Sequence, residues 1–222
     1  MLLQNEIPLQ STLDQLLHAK SQSPKITTIY NPSPMLTPAQ ISSEFKWECV
    51  DWLIVNEGEA RELVGVFDPT SPTDIDGLPE GLAVPTPARP SAILLDRLRS
   101  QPKLATTNII CTLGPSGALL CTSTRRMIYE QGISIPKDKV RDTTGAGDCW
   151  TGYFVAGLMS QPTTSFTEDK LSALLRRCNQ VSLSFLVLIA AGSGYWWNDI
   201  GSSTVCDEEW GYGEYTNESR CW

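Results

Sequence analysis

The sequence predicts an α/β protein whose sheet is mostly parallel. Short apolar segments of buried-strand type alternate with segments of helical periodicity, and short loops join them. This alternation is typical of a parallel sheet covered by helices. Hydrophobic residues make up 41% of the 222 residues and charged residues 19%, so the chain can bury a core. At roughly 150 residues per domain, this length corresponds to one or two domains.

The first part of the chain alternates between helices and strands. Leu13, Leu16 and Leu17 have helical spacing, and the Ser23–Pro24 breaker follows them. A β-rich segment then ends at Asn31–Pro32. The predicted elements are a helix at 12–20, a strand within 25–31, a weak helix at 38–47, a buried strand within 49–56 and a helix at 58–67.

Residues 68–90 interrupt this pattern with six prolines and two glycines. Proline lacks a backbone N–H and glycine favours turns, so no regular structure is predicted here. A surface insertion that the fold tolerates is the favoured interpretation. A loop that binds a partner is the alternative.

The alternating pattern returns after residue 90. Apolar spacing predicts a helix at 91–99, and the Pro115–Gly117 segment separates two β-rich segments as a tight turn does. The remaining predicted elements are paired strands at 108–114 and 118–123, short strands within 126–141, and helices at 146–159 and 168–188.

Charge and hydropathy exclude several classes of protein. Lys and Arg total 17 and Asp and Glu total 25, so the net charge is 17 − 25 = −8, which argues against a nucleic-acid-binding surface. The best apolar run, 183–191, has nine residues, whereas a membrane span needs about 18. Residues 1–10 have no basic region and no long apolar region, so we expect no secretory signal.

The cysteines and the single histidine indicate no metal or disulfide framework. The seven cysteines are odd in number and form no CxxC pair, which is typical of reduced thiols in a cytosolic-type compartment. We therefore expect a cytoplasmic protein, with the nucleus as a second location. His18 lies in a polar helical segment, so we expect an exposed side chain and no zinc site.

The sharpest chemical feature is the segment DTTGAGD at 142–148, which follows a strand-like segment and opens a helix. Its two glycines allow a tight turn and close approach of a ligand, and the first helical turn offers N–H groups to an anion such as phosphate. Asp142 and Asp148 flank this anion site, where a carboxylate suits proton removal from a hydroxyl or cation binding. The structural alternative is a helix capped by Asp142 or Thr144.

This segment resembles the C-terminal signature of the ribokinase/PfkB family of sugar kinases. Cys149 and Trp150 stand where that family usually has a small residue and then Phe, and we expect this change to alter only the packing behind the anion site. Other segments resemble family motifs in family order. They are Gln4–Pro8 (Q-x-E-x-P), Asn31–Pro34 (N-P-A-P), Asn56–Glu59 (N-E-x-E), Thr112–Gly117 (T-L-G-x-x-G) and Asn179 of the late A-N-x-A stretch.

The resemblance implies a role for each matched residue. Asp148 would be the base for the sugar hydroxyl, with Glu6 near the sugar, and the backbone of Gly145, Ala146 and Gly147 would hold the transferring phosphoryl group. The implied ATP-binding residues are Asn56, Thr112, Leu113, Gly114, Pro115, Ser116, Gly117, Gly147, Asp148 and Asn179. The implied metal contacts are Glu59 to Mg²⁺ through water, and Asp142 and Thr144 to a monovalent cation, usually K⁺.

The resemblance begins at the family's midpoint and covers the nucleotide-binding part. We therefore expect residues 1–186 to form a partial, ribokinase-like three-layer αβα domain. In this domain the N-terminal half, with its Gly-Gly sugar-binding motif and the β lid through which family dimers form, is missing. Residues 187–222 are acidic and rich in Trp and Gly, unlike the family. We interpret this tail as an alternative or misassigned reading of the transcript, and a genuine lineage-specific tail is the alternative.

These observations predict a ribokinase-type kinase that transfers the γ-phosphoryl group of ATP to the 5-hydroxyl of a pentose, ribose, with Mg²⁺ and K⁺. The expected partners are therefore small molecules, with neither nucleic acid nor membrane among them. Two alternatives stay open: a truncated, non-catalytic nucleotide-binding fragment, and a PfkB-type kinase for another sugar or a nucleoside.

Overall fold

The computed structural model describes residues 1–69, 84–133, 145–160 and 166–191. In these residues six strands form one sheet in chain order, β1 to β6. The strands are β1 (Leu2–Leu3), β2 (Ile29–Tyr30), β3 (Trp52–Asn56), β4 (Asn108–Thr112), β5 (Gly117–Cys121) and β6 (Met127–Gln131). The helices are α1 (Leu9–Ser21), α2 (Glu57–Phe67), α3 (Arg89–Arg99), α4 (Ala146–Met159) and α5 (Glu168–Ala191).

The sheet is parallel from β1 to β4 and ends in an antiparallel hairpin. β1 pairs with β2, β2 with β3 and β3 with β4 in parallel, whereas β5 is antiparallel to both β4 and β6. The prediction of an α/β fold with a mostly parallel sheet is confirmed. The predicted strand–turn–strand at 108–123 is the β4–β5 hairpin.

Helices cover both faces of the sheet and give three layers. Alternate residues of β3 face opposite sides: Leu53 and Val55 belong to the core under α1, α2 and α3, while Trp52 and Ile54 belong to the core under α4 and α5. Because both faces are buried, β3 has no polar residue until its last position, Asn56. The predicted three-layer architecture follows from this two-sided burial.

The predicted helices differ from the observed ones mainly at their ends. Helix α1 begins at Leu9, three residues before the predicted range 12–20, and α5 continues to Ala191 rather than ending at 188. The weak helix predicted at 38–47 is instead a π-helical turn at Gln40–Glu44 followed by a 3₁₀ turn at Trp47–Cys49. Trp47 is fully buried and its indole N–H donates to the Ile41 carbonyl at 2.8 Å, so tertiary packing fixes this irregular segment.

The prediction of no regular structure throughout 68–90 is wrong at its C-terminal end. A 3₁₀ turn spans Thr86–Ala88, and α3 already begins at Arg89. Pro90 occupies the second position of α3, where the helix has no use for a backbone N–H, so this proline starts the helix instead of breaking it. Residues 70–83 lie outside the described residues. The alternative that this segment binds a partner therefore stays a prediction.

Three other predictions fall partly or wholly outside the described residues. Of the short strands expected within 126–141, β6 is confirmed, whereas 134–144 are not described. The tail at 192–222 is also not described, and the division at residue 186 stays a prediction. In the described segments no helix is both long and apolar enough to cross a membrane. His18 is exposed, as expected, and the five cysteines of these segments carry free thiols.

Candidate active site

Polar residues stand at the carboxyl ends of four neighbouring strands. Gln4 and Asn31 directly follow β1 and β2, while Asn56 and Thr112 are the last residues of β3 and β4. Because these strands are parallel, the four residues lie at the same edge of the sheet, where open α/β sheets bind ligands. Asn56 and Thr112 are also direct neighbours across β3 and β4.

A ladder of side-chain hydrogen bonds crosses this edge and reaches α4. The Asn31 side chain donates from Nδ2 to the Ile54 carbonyl at 2.9 Å. Gln4 Nε2 donates to Asn31 Oδ1 at 3.1 Å and to Asp148 Oδ1 at 3.4 Å. The structure therefore brings the predicted catalytic residue Asp148 to the carboxyl edge of the sheet, 144 residues along the chain from Gln4.

The start of α4 has the geometry of an anion site. Gly145 adopts a left-handed conformation, with φ at 77°, and its carbonyl accepts the first helical hydrogen bond from Cys149 N at 2.9 Å. The N–H groups of Ala146, Gly147 and Asp148 consequently have no partner within the helix. Gly147 is exposed, and a Cβ added there would meet no atom within 4 Å. Donors without a partner among the described residues, together with open space at Gly147, suit a ligand such as phosphate.

Two residues predicted for the same segment are not described. Asp142 and Thr144 lie in the undescribed range 134–144. Their predicted contact with a monovalent cation stays a prediction, and so does their alternative role as helix caps.

Asn56 and Glu59 form a capping box at the start of α2. Asn56 Oδ1 accepts from Glu59 N at 2.9 Å, and Asn56 N donates to Glu59 Oε2 at 2.9 Å. Burial raises the pKa of the Glu59 carboxyl, and hydrogen bonding from the backbone and side chain of Asn56 lowers it in part. Asn56, predicted to bind ATP, and Glu59, predicted to contact Mg²⁺ through water, thus both have a structural role. Glu59 Oε1 accepts no hydrogen bond from the described residues.

This arrangement fits an indirect contact with Mg²⁺. The described segments contain no group of three or more His, Cys, Asp or Glu side chains that could enclose a metal ion. Mg²⁺ usually keeps several waters and is held by one or two carboxylates together with substrate phosphates. One carboxylate with a spare oxygen, Glu59, suits a water-mediated contact of that kind.

The predicted nucleotide segment at 112–117 is held by close backbone contacts. Gly117 has φ at 105°, and a Cβ there would lie 2.1 Å from the Glu130 carbonyl. A Cβ on Gly132 would lie 2.3 Å from the Pro115 carbonyl. Gly114 and Pro115 are exposed on this turn, whereas Leu113 and Gly117 are buried. Gly117 and Gly132 are therefore required by the protein's own packing. The predicted ATP contacts of this segment stay predictions.

Asn179 is engaged within the protein rather than free. Its Oδ1 accepts from Trp150 Nε1 at 2.9 Å, and its Nδ2 donates to the carbonyls of Glu130 at 3.1 Å and Gln131 at 3.4 Å. Trp150 also stacks on Phe154, with ring centroids 5.5 Å apart. The Asn179 side chain therefore links α5 to α4 and β6, behind the predicted anion site. Its predicted contact with ATP stays a prediction.

Glu6 is not part of the hydrogen-bonded ladder. Its side chain is exposed and forms no hydrogen bond with the described residues. Its predicted place near a sugar also stays a prediction.

Sequence reasoning missed the contact between Ser91 and Glu57. Ser91 is fully buried in α3, and its hydroxyl donates to Glu57 Oε1 at 2.8 Å at the start of α2. The two residues are 34 positions apart, so no spacing rule relates them. The only related signal in the sequence is the N-E-x-E motif at 56–59, of which Glu57 is the first acid.

The fold and this edge define an α/β protein with a candidate ligand site at the carboxyl edge of a parallel sheet, beside a helix start suited to an anion. A model of the pfkB family of carbohydrate kinases matches residues 2–182. The chain belongs to the pfkB carbohydrate kinase family.

Relatives within this family support the assignment. A solved ribokinase from Cryptococcus neoformans var. grubii serotype A, in complex with ADP, is 40% identical with a TM-score of 0.64, and the match covers 80% of this chain and 53% of that one. The ribokinase of Mus musculus is 28% identical over 203 residues, which are 88% of this chain and 50% of that protein. The chain therefore spans about half the length of these relatives.

More distant structures share the fold. The ribokinase of Thermotoga maritima is 22% identical with a TM-score of 0.53, and the match covers 86% of this chain and 56% of that one. At this level of identity the likeness concerns architecture alone.

Proposed function

We propose that this chain carries the nucleotide-binding part of a ribokinase-type kinase, in which Asp148 takes the proton from the 5-hydroxyl of ribose. The observation that carries the proposal is the start of α4. There an exposed carboxylate stands at the carboxyl edge of the sheet, beside N–H groups that have no partner in the described part of the chain. The 40% identity to a ribokinase that was solved with ADP supports both the nucleotide and the sugar.

Each part of this helix start has a separate task in the proposed reaction. Asp148 Oδ1 accepts from Gln4, whereas Oδ2 accepts no hydrogen bond from the described residues and is available to a hydroxyl proton. The N–H groups of residues 146–148 would bind the phosphoryl oxygens, on which charge is spread in the transition state. Phosphoryl transfer depends mainly on such positioning and charge stabilisation.

The cations are part of the proposal. Mg²⁺ bound with the nucleotide neutralises phosphate charge, and Glu59 Oε1 would hold one of its waters beside the Asn56 cap. By resemblance, Asp142 and Thr144 would contact K⁺.

The second candidate is a nucleotide-binding fragment without turnover. Asp148 and Gly147 are both exposed, whereas phosphoryl transfer is favoured in a site that excludes water. A kinase for another sugar or nucleoside is a third candidate. The two adenosine kinases and the fructokinase among the similar structures are 17–18% identical to this chain, so they support the common fold only.

Ribose-dependent ADP release by the purified chain, with Mg²⁺ and K⁺, tests the proposal. We expect Asp148→Asn to abolish turnover and Asp169→Asn, an exposed acid in the first turn of α5, to leave it unchanged. Calorimetric ADP binding should be the same in both variants. ADP binding without turnover by the folded wild-type chain would favour the fragment, and turnover that survives Asp148→Asn would contradict the role of this residue.

A further inference from the structure

We propose that Gln4 is a positioning residue that holds the Asp148 carboxylate in one rotamer. The structural part of this inference is independent of activity, and its effect on turnover rests on the proposed function. It is carried by the contact between Gln4 Nε2 and Asp148 Oδ1 at 3.4 Å. Among the described side chains, Gln4 is the one that donates to Asp148.

Gln4 can serve as a fixed support because it is itself anchored. Its Nε2 also donates to Asn31 Oδ1 at 3.1 Å, and Asn31 Nδ2 donates to the Ile54 carbonyl at 2.9 Å. The backbone N–H of Asn31 donates to the Leu3 carbonyl at 3.0 Å, which ties the same residue to β1. Ile54 is buried in the centre of β3, so the ladder ends in the core of the sheet.

The partners at the two ends of the ladder determine how both amides are oriented. The Ile54 carbonyl can only accept, so Asn31 turns its NH₂ group inward and presents Oδ1 to Gln4. Gln4 then faces two acceptors, Asn31 Oδ1 and Asp148 Oδ1, and its NH₂ group has two hydrogens to offer them. The pattern is self-consistent, with one donor for each acceptor.

Asp148 needs such support because little else restrains it. It is exposed and lies in the first turn of α4, where a Cβ added to the neighbouring Gly147 would meet no atom of the described residues within 4 Å. Without a donor, the Asp148 side chain would populate two or three staggered χ1 rotamers. One of these directs Oδ2 as it is directed when Gln4 holds Oδ1. Turnover would fall with the population of that rotamer, about two- to threefold.

Measuring the Asp148 rotamer by NMR tests the inference directly. Three-bond couplings about χ1 should report one rotamer in the wild-type chain and averaged rotamers in Gln4→Leu. The matched control is Gln10→Leu, which removes another amide-to-carboxylate bond, from Gln10 Nε2 to Asp14 Oδ1 at 2.8 Å, in α1. It should leave the Asp148 couplings unchanged. Identical Asp148 couplings in the wild-type chain and Gln4→Leu would overturn the proposal, and urea unfolding establishes that both variants are folded.

Kinetics supply a second readout that a merely structural role would not move. We expect Gln4→Leu to lower kcat about two- to threefold with the KM for ATP unchanged. An unchanged kcat with a raised KM for ATP would overturn the positioning role. Should Asp148→Asn leave turnover intact, the proposed function is wrong, while the rotamer measurement still decides whether Gln4 holds Asp148.

Discussion

At Gly147, the addition of one methyl group distinguishes the stability of the helix from its ability to bind an anion. An added Cβ at Gly147 meets no neighbouring atom of the described residues within 4 Å, so Gly147→Ala should not strain the fold. Replacing Gly by Ala in a helix gains up to about 0.5–1 kcal/mol of stability. A phosphoryl group on the N–H groups of 146–148 would, however, occupy the space into which this methyl group projects.

We therefore expect Gly147→Ala to unfold at equal or higher urea concentration than the wild-type chain, yet to bind a non-hydrolysable ATP analogue at least tenfold more weakly. A tenfold loss corresponds to about 1.4 kcal/mol of binding free energy. Calorimetry with the ATP analogue and with ADP is the assay, and the loss should be larger for the analogue, which retains a third phosphoryl group.

Gly152→Ala is the matched control for this experiment. Gly152 lies in the same helix, and a Cβ there also meets nothing within 4 Å, but it is outside the first turn. It should gain stability without a change in nucleotide affinity. If Gly147→Ala binds the ATP analogue as tightly as Gly152→Ala does, the start of α4 does not hold a phosphoryl group and the reasoning is refuted.

Three further outcomes follow from packing and burial. Gly117→Ala should prevent folding, since its Cβ would lie 2.1 Å from the Glu130 carbonyl; a normal circular dichroism spectrum and urea midpoint would contradict this. Trp150→Phe should cost about 1–3 kcal/mol in urea unfolding, because Asn179 Oδ1 loses its buried donor; an unchanged midpoint would show that water replaces the indole. Burial raises the pKa of Glu59, so its contribution to stability is present at low pH and is lost as pH rises through that pKa. Glu59→Gln keeps a capping residue and should be at least as stable as the wild-type chain at pH 7, with a smaller difference near pH 4; a variant less stable at pH 7 would contradict the sign.

The order of elements could be predicted because it depends on local patterns. The apolar run before Asn56 and the helical spacing after it each report burial within a few residues. The prediction of no regular structure fails at Pro90, which stands at a helix start. The prediction of a helix fails at 38–47, where the packing of Trp47 imposes an irregular segment. In both cases the outcome depends on position or tertiary contact, which composition does not contain.

The sequence by itself determined the strand and helix order, the helix start at Gly145 and the pairing of Asn56 with Glu59 in one turn, because each is decided by residues a few positions apart. The tertiary structure alone decided that Gln4 contacts Asp148 and that Asn179 is engaged by Trp150. These contacts join residues 144 and 29 positions apart. They exist only because the parallel strands end at one edge and α4 and α5 pack on one face of the sheet.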